Sequence, residues 1–219
     1  MNNKIKVFEQ YESIPYITRQ KANIIYDLIR ENKPDLCLEL GFYHGKSSAV
    51  IAQALEDNGN GKLITLDLPS AFKRTPNVND VLLSLNLSHR VDVITDEEGF
   101  HWSLMDILER DKKPKFDFAY IDGAHTWEGT GFAVFLLERM LNPGAYLVFD
   151  DLNWTIEQSN KNRERNGKKM INTKSTLRQS QTPGVLKVFN IICSEPYYTN
   201  HQRILDYGIC QRSNFSLMH

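Results

Sequence analysis

At 219 residues, with 41% apolar and 24% charged side chains, the chain has the make-up of a soluble globular protein, and one domain over residues 1–219 is expected, not two, a fibre or a disordered chain. Its 26 basic and 27 acidic residues leave a formal charge of −1, which offers no field for nucleic acid or an anionic membrane and points to a small-molecule partner. No apolar run approaches the ~20 residues of a membrane helix, and the polar start MNNKIKVFEQ lacks the order of a secretion signal, so a cytoplasmic protein is expected.

A leading segment, 1–33, contains a helix over 18–31, with Ala22, Ile25, Leu28 and Ile29 on one side and Pro34 after its end. LCLEL (36–40) is a short apolar strand that runs into a glycine-bearing turn, and helical spacing resumes over 47–55. GNGK is a turn, LITLDL (63–68) a strand, 79–87 a helix and VDVIT (91–95) a strand. A helix over 103–110, the strand FDFAYID (116–122) and a helix over 129–141 follow. Asn142-Pro143-Gly144 then turns the chain into the strand AYLVFDD (145–151).

Residues 153–183 break this rhythm: they are polar, with little apolar periodicity, and are expected to be either a lid or a disordered connection. A helix over 185–193 and a terminal strand pair, RILDY and ICQRS, complete the reading. Strands alternating with helices predict an α/β fold, with a doubly wound, mostly parallel sheet, helices on both faces and an antiparallel C-terminal strand. In such sheets ligands bind beyond the carboxyl ends of the strands, where Glu39, Asp67, Asp122, Asp150 and Asp151 all fall. Cys37, Cys193 and Cys210 are too scattered for a zinc or redox spacing. The oligomeric state is left open, a homo-oligomer included.

The first turn reads Glu39-Leu40-Gly41-Phe42-Tyr43-His44-Gly45-Lys46-Ser47-Ser48. Gly41 and Gly45 permit positive φ and close approach of a ligand, and Ser47, Ser48 and the free amides of the helix start supply donors. The nucleoside-triphosphate loop places four residues between its first glycine and Gly-Lys-Ser; here Gly41 and Gly45 enclose three. The dinucleotide pattern needs three glycines, and this turn has two. An acid at Asp67, ending the second strand, can accept both hydroxyls of a ribose, or merely cap the next turn.

The later strands end in Asp122 and in Asp150-Asp151, which neighbouring strands would bring together with no basic residue nearby in sequence. Such repulsion calls for a cation, and oxygen-only ligands favour Mg²⁺, Ca²⁺ or Mn²⁺. Strand-end capping by Asp150 and Asp151 is the plainer alternative. His125, three residues after Asp122, suits a general base or an ordinary loop hydrogen bond. Phe42, Tyr43, Trp127 and Trp154 are candidate walls of a pocket, or core. The basic run with Arg163, Arg165, Lys168 and Lys169 reads as a solvated face or as a lid over an acidic substrate.

The pattern E-x-G-x-x-x-G-x-S resembles the first motif of class I S-adenosylmethionine-dependent methyltransferases, and I-D-G-x-H with V-F-D-D resembles the metal-dependent O-methyltransferases of macrolide sugars and other small molecules. The resemblance covers about residues 20 to 151. It implies a seven-stranded sheet and S-adenosyl-L-methionine as cofactor, bound by Glu39, Gly41, Phe42, Tyr43, Gly45, Ser47, Ser48, Asp67, Thr95, Asp96 and Asp122. Glu39 would hold the methionine amino end, and Thr95 and Asp96 the adenine. It further implies Mg²⁺ or another divalent ion on Asp122, Asp150 and Asp151, with Asn153 as a spare ligand. His125 would be the base, and Asp122 shares in catalysis. The expected reaction is methylation of a small-molecule hydroxyl. A nucleoside triphosphatase or kinase built on Gly41 to Ser47, and a cofactor-binding module without turnover, are the rival readings.

Overall fold

The computed structural model describes residues 5–215. Its elements in chain order are α1 (Val7–Gln10), α2 (Arg19–Asn32), β1 (Leu36–Leu40), α3 (Lys46–Asn58), β2 (Lys62–Asp67), α4 (Val78–Ser84), β3 (Val91–Thr95) and α5 (Phe100–Glu109). They continue with β4 (Phe116–Ile121), α6 (Trp127–Leu137), β5 (Leu141–Phe149), α7 (Ile156–Arg165), α8 (Leu177–Gln181), α9 (Gly184–Ile191), β6 (Tyr198–Ile204) and β7 (Tyr207–Arg212).

The seven strands form one sheet in the order β3-β2-β1-β4-β5-β7-β6. β1 to β5 are parallel, and β7 joins β5 and β6 antiparallel. This is the expected architecture, with two antiparallel strands at the end of the chain. Strand order reverses between β1 and β4, so the connections after these strands leave in opposite directions and open a crevice at their carboxyl ends.

The alternation of strand side chains sorts the core into two layers. From β1, Cys37 faces a layer with Ala22, Ile25 and Ile29 of α2 and Val50, Ile51 and Leu55 of α3. Leu38 and Leu40 face the other layer, with Leu104 of α5, Val134 of α6 and Val188 of α9. Phe118 and Tyr120 of β4 fall with the first set, and Ala119 and Ile121 with the second. By the same parity Glu39 and Asp122 follow the layer of α2 and α3.

Several boundaries differ from the sequence reading, each for a local reason. The turn expected at 142–144 lies inside β5, which bulges where its register against β4 shifts between Phe116 and Phe118. Asn142 ties that bulge down by donating to Asp117 Oδ1 (2.7 Å). RILDY is not one strand: Leu205, at φ 58°, and Asp206 form the turn between β6 and β7. Residues 153–183, expected to be a lid or a disordered connection, contain α7 and α8, whose first turns are capped by the hydroxyls of Thr155 and Thr176. All three cysteines are buried thiols. Among the described residues no helix is long and apolar enough to cross a membrane.

Candidate active site

A cavity of about 470 Å³ opens at the carboxyl ends of β1, β4 and β5. Its walls come from the chain before α2 (Ile14, Tyr16), the first turn (Phe42, Tyr43, Ser47), the ends of β4 and β5 (Asp122, His125, Asp150, Asp151) and the long connection after β5 (Trp154, Ile171).

The turn after β1 needs both of its glycines. At Gly41 φ is +91°, and an added Cβ would lie 2.7 Å from the carbonyl oxygen of Asp122; at Gly45 φ is +84°, and a Cβ would meet Val78 at 2.6 Å. Side chains are excluded there both by conformation and by space. Asp67 holds this turn: its Oδ2 accepts from the amides of Phe42 (3.0 Å) and Tyr43 (2.8 Å), and its Oδ1 from that of Leu68 (2.7 Å).

Glu39 does not itself line the cavity. It is fully buried and stands behind the cavity wall, accepting from Ser47 (2.5 Å), Ser48 and Thr65 (2.5 Å). Strand pairing explains the contact with Thr65, which lies opposite Glu39 on β2, and the first turn of α3 supplies both serines. Burial pushes the Glu39 carboxyl up to about 7, against the pull of the three hydroxyls. Ser47, which donates to Glu39, does line the cavity. Asp67, Thr95 and Asp96 sit at the ends of β2 and β3, beside rather than in the wall of this cavity; the amide of Asp96 donates to the Asp67 carbonyl (3.2 Å).

Pairing of β4 with β5 puts Ile121 opposite Phe149, so Asp122 and Asp150 emerge side by side, as expected. Asp150 is nevertheless engaged. Its Oδ1 accepts from Lys21 Nζ and from the amide of Asp151 (2.6 Å), and its Oδ2 from Tyr120 Oη (2.6 Å). Asp122, His125 and Asp151 instead form a group whose nearest nitrogen and oxygen atoms lie within 4.8 Å of one another. His125 Nε2 is 3.1 Å from Asp151 Oδ2 and 3.8 Å from Asp122 Oδ1, with the Trp154 ring packed edge-on against the imidazole at 5.1 Å. Of the three expected ligands Asp150 therefore presents no free oxygen to an ion, and Asn153 bonds Asp206 (2.6 Å).

The charges follow from this geometry. Burial, then the like charges of Asp150 and Asp151, hold the Asp122 carboxyl well above the ordinary carboxylate range. Burial and Asp151 also raise Asp150, against the pull of Lys21 and Tyr120. For Asp151 burial is outweighed by the hydrogen bond and charge of His125, followed by Lys21, and its carboxyl lies below the usual range, ionised at neutral pH. Backbone strain gathers here too: Tyr43, Ala124 and Asp151 all have positive φ (52°, 50° and 56°).

Sequence reasoning missed Lys21. The signal was present: Lys21, Ile25 and Ile29 follow one another at four-residue spacing, so Lys21 continues the buried stripe of α2. It also missed the role of Lys46, whose ammonium bonds the carbonyls of Ile14 (2.7 Å) and Glu12 (3.2 Å) above the Phe8 ring. A lysine so occupied anchors the leading segment and is not free to hold a phosphate, which disfavours the triphosphatase reading. The basic residues 163–169 do not line the cavity; Ser159, Ile171 and Asn172 of the same connection do. Phe42, Tyr43 and Trp154 wall it, and Trp127 lines an adjoining cavity of about 710 Å³ that shares His125, Thr126 and Trp154.

A family profile described as a methyltransferase domain matches residues 38–152, more than half of the chain, and the chain belongs to that family. No curated protein matches it. Solved structures of similar fold include the O-methyltransferase TomG from Streptomyces achromogenes in complex with S-adenosylmethionine, at a TM-score of 0.66 and 16% identity over 96% of this chain and 88% of that one. An O-methyltransferase from Bacillus cereus in complex with S-adenosylhomocysteine matches at 0.66 and 17%, over 95% and 88%. The S-adenosylhomocysteine-bound methyltransferase PaMTH1 of Podospora anserina matches at 0.67 and 13%, over 96% and 87%. At such identities the likeness is one of fold.

Proposed function

We propose that this methyltransferase moves the methyl group of S-adenosyl-L-methionine to a hydroxyl oxygen of a small molecule, with His125 as general base. The observation that carries the reading is His125, held by Asp151 at 3.1 Å in the wall of a cavity at the switch point of the sheet. The acceptor oxygen attacks the methyl carbon, the carbon–sulfur bond breaks to leave a neutral thioether, and the hydroxyl proton goes to His125 Nδ1, because Nε2 donates its hydrogen to the ionised Asp151. Because the sulfonium already activates the methyl group, the protein has mainly to align the two reactants and take the proton. The ionised Asp151 stabilises the imidazolium that forms.

On this reading the cofactor lies over Gly41 to Ser47. Ser47, whose hydroxyl oxygen keeps a free lone pair while its proton is turned to Glu39, would receive the cofactor's ammonium, and Asp67 would hold its ribose. Phe42, Tyr43 and Trp154 then frame the acceptor. The near-balance of charge supports a small partner.

Calorimetry with S-adenosylhomocysteine and with ATP separates this reading from its rival: binding of the first alone is expected, and binding of ATP alone would sink the proposal. Transfer of a radiolabelled methyl group to members of a hydroxyl-bearing panel then identifies the acceptor. A protein that binds the cofactor product but methylates no member of a broad panel would instead be a binding module.

A further inference from the structure

Lys21 sits where local preference argues against it. It is in the first turn of α2, where the aligned peptide dipoles favour negative charge, and its amide donates to the capping hydroxyl of Thr18 (3.3 Å). Its side chain is only 13% exposed. The ammonium reaches the carboxyl end of β5, bonding Asp150 Oδ1, lying 3.8 Å from Asp151 Oδ1 and resting over the Tyr207 ring at 4.9 Å from its centre. A residue that breaks a local rule and is compensated only by distant partners marks a functional site more often than a packing accident.

We propose that Lys21 is the resident cation of this site, filling the place that a divalent ion takes in a carboxylate-only cluster and positioning Asp151 toward His125. The proposal rests on the methyltransferase reading and deepens it. Two features carry it. A divalent ion on Asp150 would need a carboxylate oxygen within about 2.0–2.6 Å, and Oδ1 already holds an ammonium and the Asp151 amide while Oδ2 holds the Tyr120 hydroxyl. The chain of contacts then runs from Lys21 through Asp150 to the amide of Asp151, and from the Asp151 carboxylate to His125. Lys21 is thus a positioning residue: it acts through Asp150 and Asp151. The capped helix start fixes the lysine backbone, and its ammonium lies over the Tyr207 ring beside the two aspartates.

The test uses the full-length protein and Mn²⁺, whose free aquo ion gives an electron paramagnetic resonance signal that falls on binding. The wild-type chain is expected to leave that signal unchanged and to bind S-adenosylhomocysteine equally well with and without EDTA. Lys21→Met, and Lys21→Gln should the first fail to fold, is expected to take up Mn²⁺ roughly tenfold or more tightly than wild type, since one buried positive charge has been removed. Lys21→Arg is expected to keep Mn²⁺ out. Adding Asp150→Asn to Lys21→Met should abolish the gained uptake. Wild-type uptake as tight as that of the neutral variants would overturn the proposal, as would folded neutral variants that gain nothing. Failure of the wild-type chain to bind S-adenosylhomocysteine would instead strike the methyltransferase reading itself.

Discussion

A buried glutamate and a cluster of buried and half-buried aspartates stand one strand apart and are satisfied in opposite ways. Glu39, at the end of β1, is surrounded by the neutral hydroxyls of Ser47, Ser48 and Thr65. The aspartates after β4 and β5 have an ammonium in Lys21 and an imidazole in His125. Hydroxyls satisfy lone pairs but bring no positive charge, so burial wins at Glu39 and its carboxyl is lifted to about 7. At Asp151 a charged partner wins over burial, and the group stays below its ordinary range. The difference teaches which end of the cavity lacks a cation: the glycine turn, where the proposed cofactor brings its own ammonium, and not the aspartate end, where the protein supplies one.

The largest effect that bears on this contrast is expected at the aspartate end. His125→Ala should lower methyl transfer ~10²–10⁴-fold by removing the base, with S-adenosylhomocysteine affinity unchanged in calorimetry; an equal loss of both would make His125 a cofactor contact.

The second prediction concerns the hydroxyl-lined end and pH. The folded Glu39 keeps a proton that the unfolded chain releases, because its carboxyl is raised from 4.5 to about 7. Stability from this group is therefore complete below about pH 4.5 and is lost as pH rises toward 7, by ~3 kcal/mol in all. Glu39→Gln, a neutral mimic, should escape that loss. Urea unfolding of the ligand-free proteins between pH 4 and 8 measures it, and a constant gap between wild type and variant would refute the buried neutral acid.

Gly41 is where the two ends touch, since its missing Cβ leaves room for the Asp122 carbonyl. Gly41→Ala should destabilise the protein by about 2 kcal/mol or more, through positive φ and the backbone clash, and should weaken cofactor binding as well. A shift of the urea midpoint without any change in S-adenosylhomocysteine binding would separate the turn from the cofactor. The smallest effect is expected for Tyr120→Phe, which removes one donor to Asp150 while Lys21 and the Asp151 amide remain; a loss near 1 kcal/mol is expected. A loss several times larger, by the same unfolding measurement, would mean that Tyr120 and not Lys21 holds Asp150.

Much of this was written locally. Apolar runs with period 2 and stripes with period 3.6 marked β1 to β4 and the helices between them, because each element shows its own repeat whatever its neighbours do. Gly41 and Gly45 announced a turn open to positive φ, and Asp122, His125, Asp150 and Asp151 announced an acidic edge with a titratable ring, because strand ends in a parallel sheet converge on one side. The bulge of β5 was less legible: Asn142-Pro143-Gly144 reads as a turn by itself and becomes part of a strand only through pairing with β4 and the bond to Asp117. The hairpin turn at Leu205 and Asp206 was hidden for a similar reason, since RILDY carries enough apolar side chains to pass for one strand.

The sequence by itself thus determined the alternation of elements, the class of sheet and the side of it on which chemistry gathers, since these depend on interactions within about ten residues. Only the tertiary structure decided which charges meet. Lys21 and Asp150 lie 129 residues apart, and Glu39 finds Thr65 across a strand pair and Ser47 across a turn. A charge's partner is set by the packing of whole elements, and nothing in the local order of residues records it.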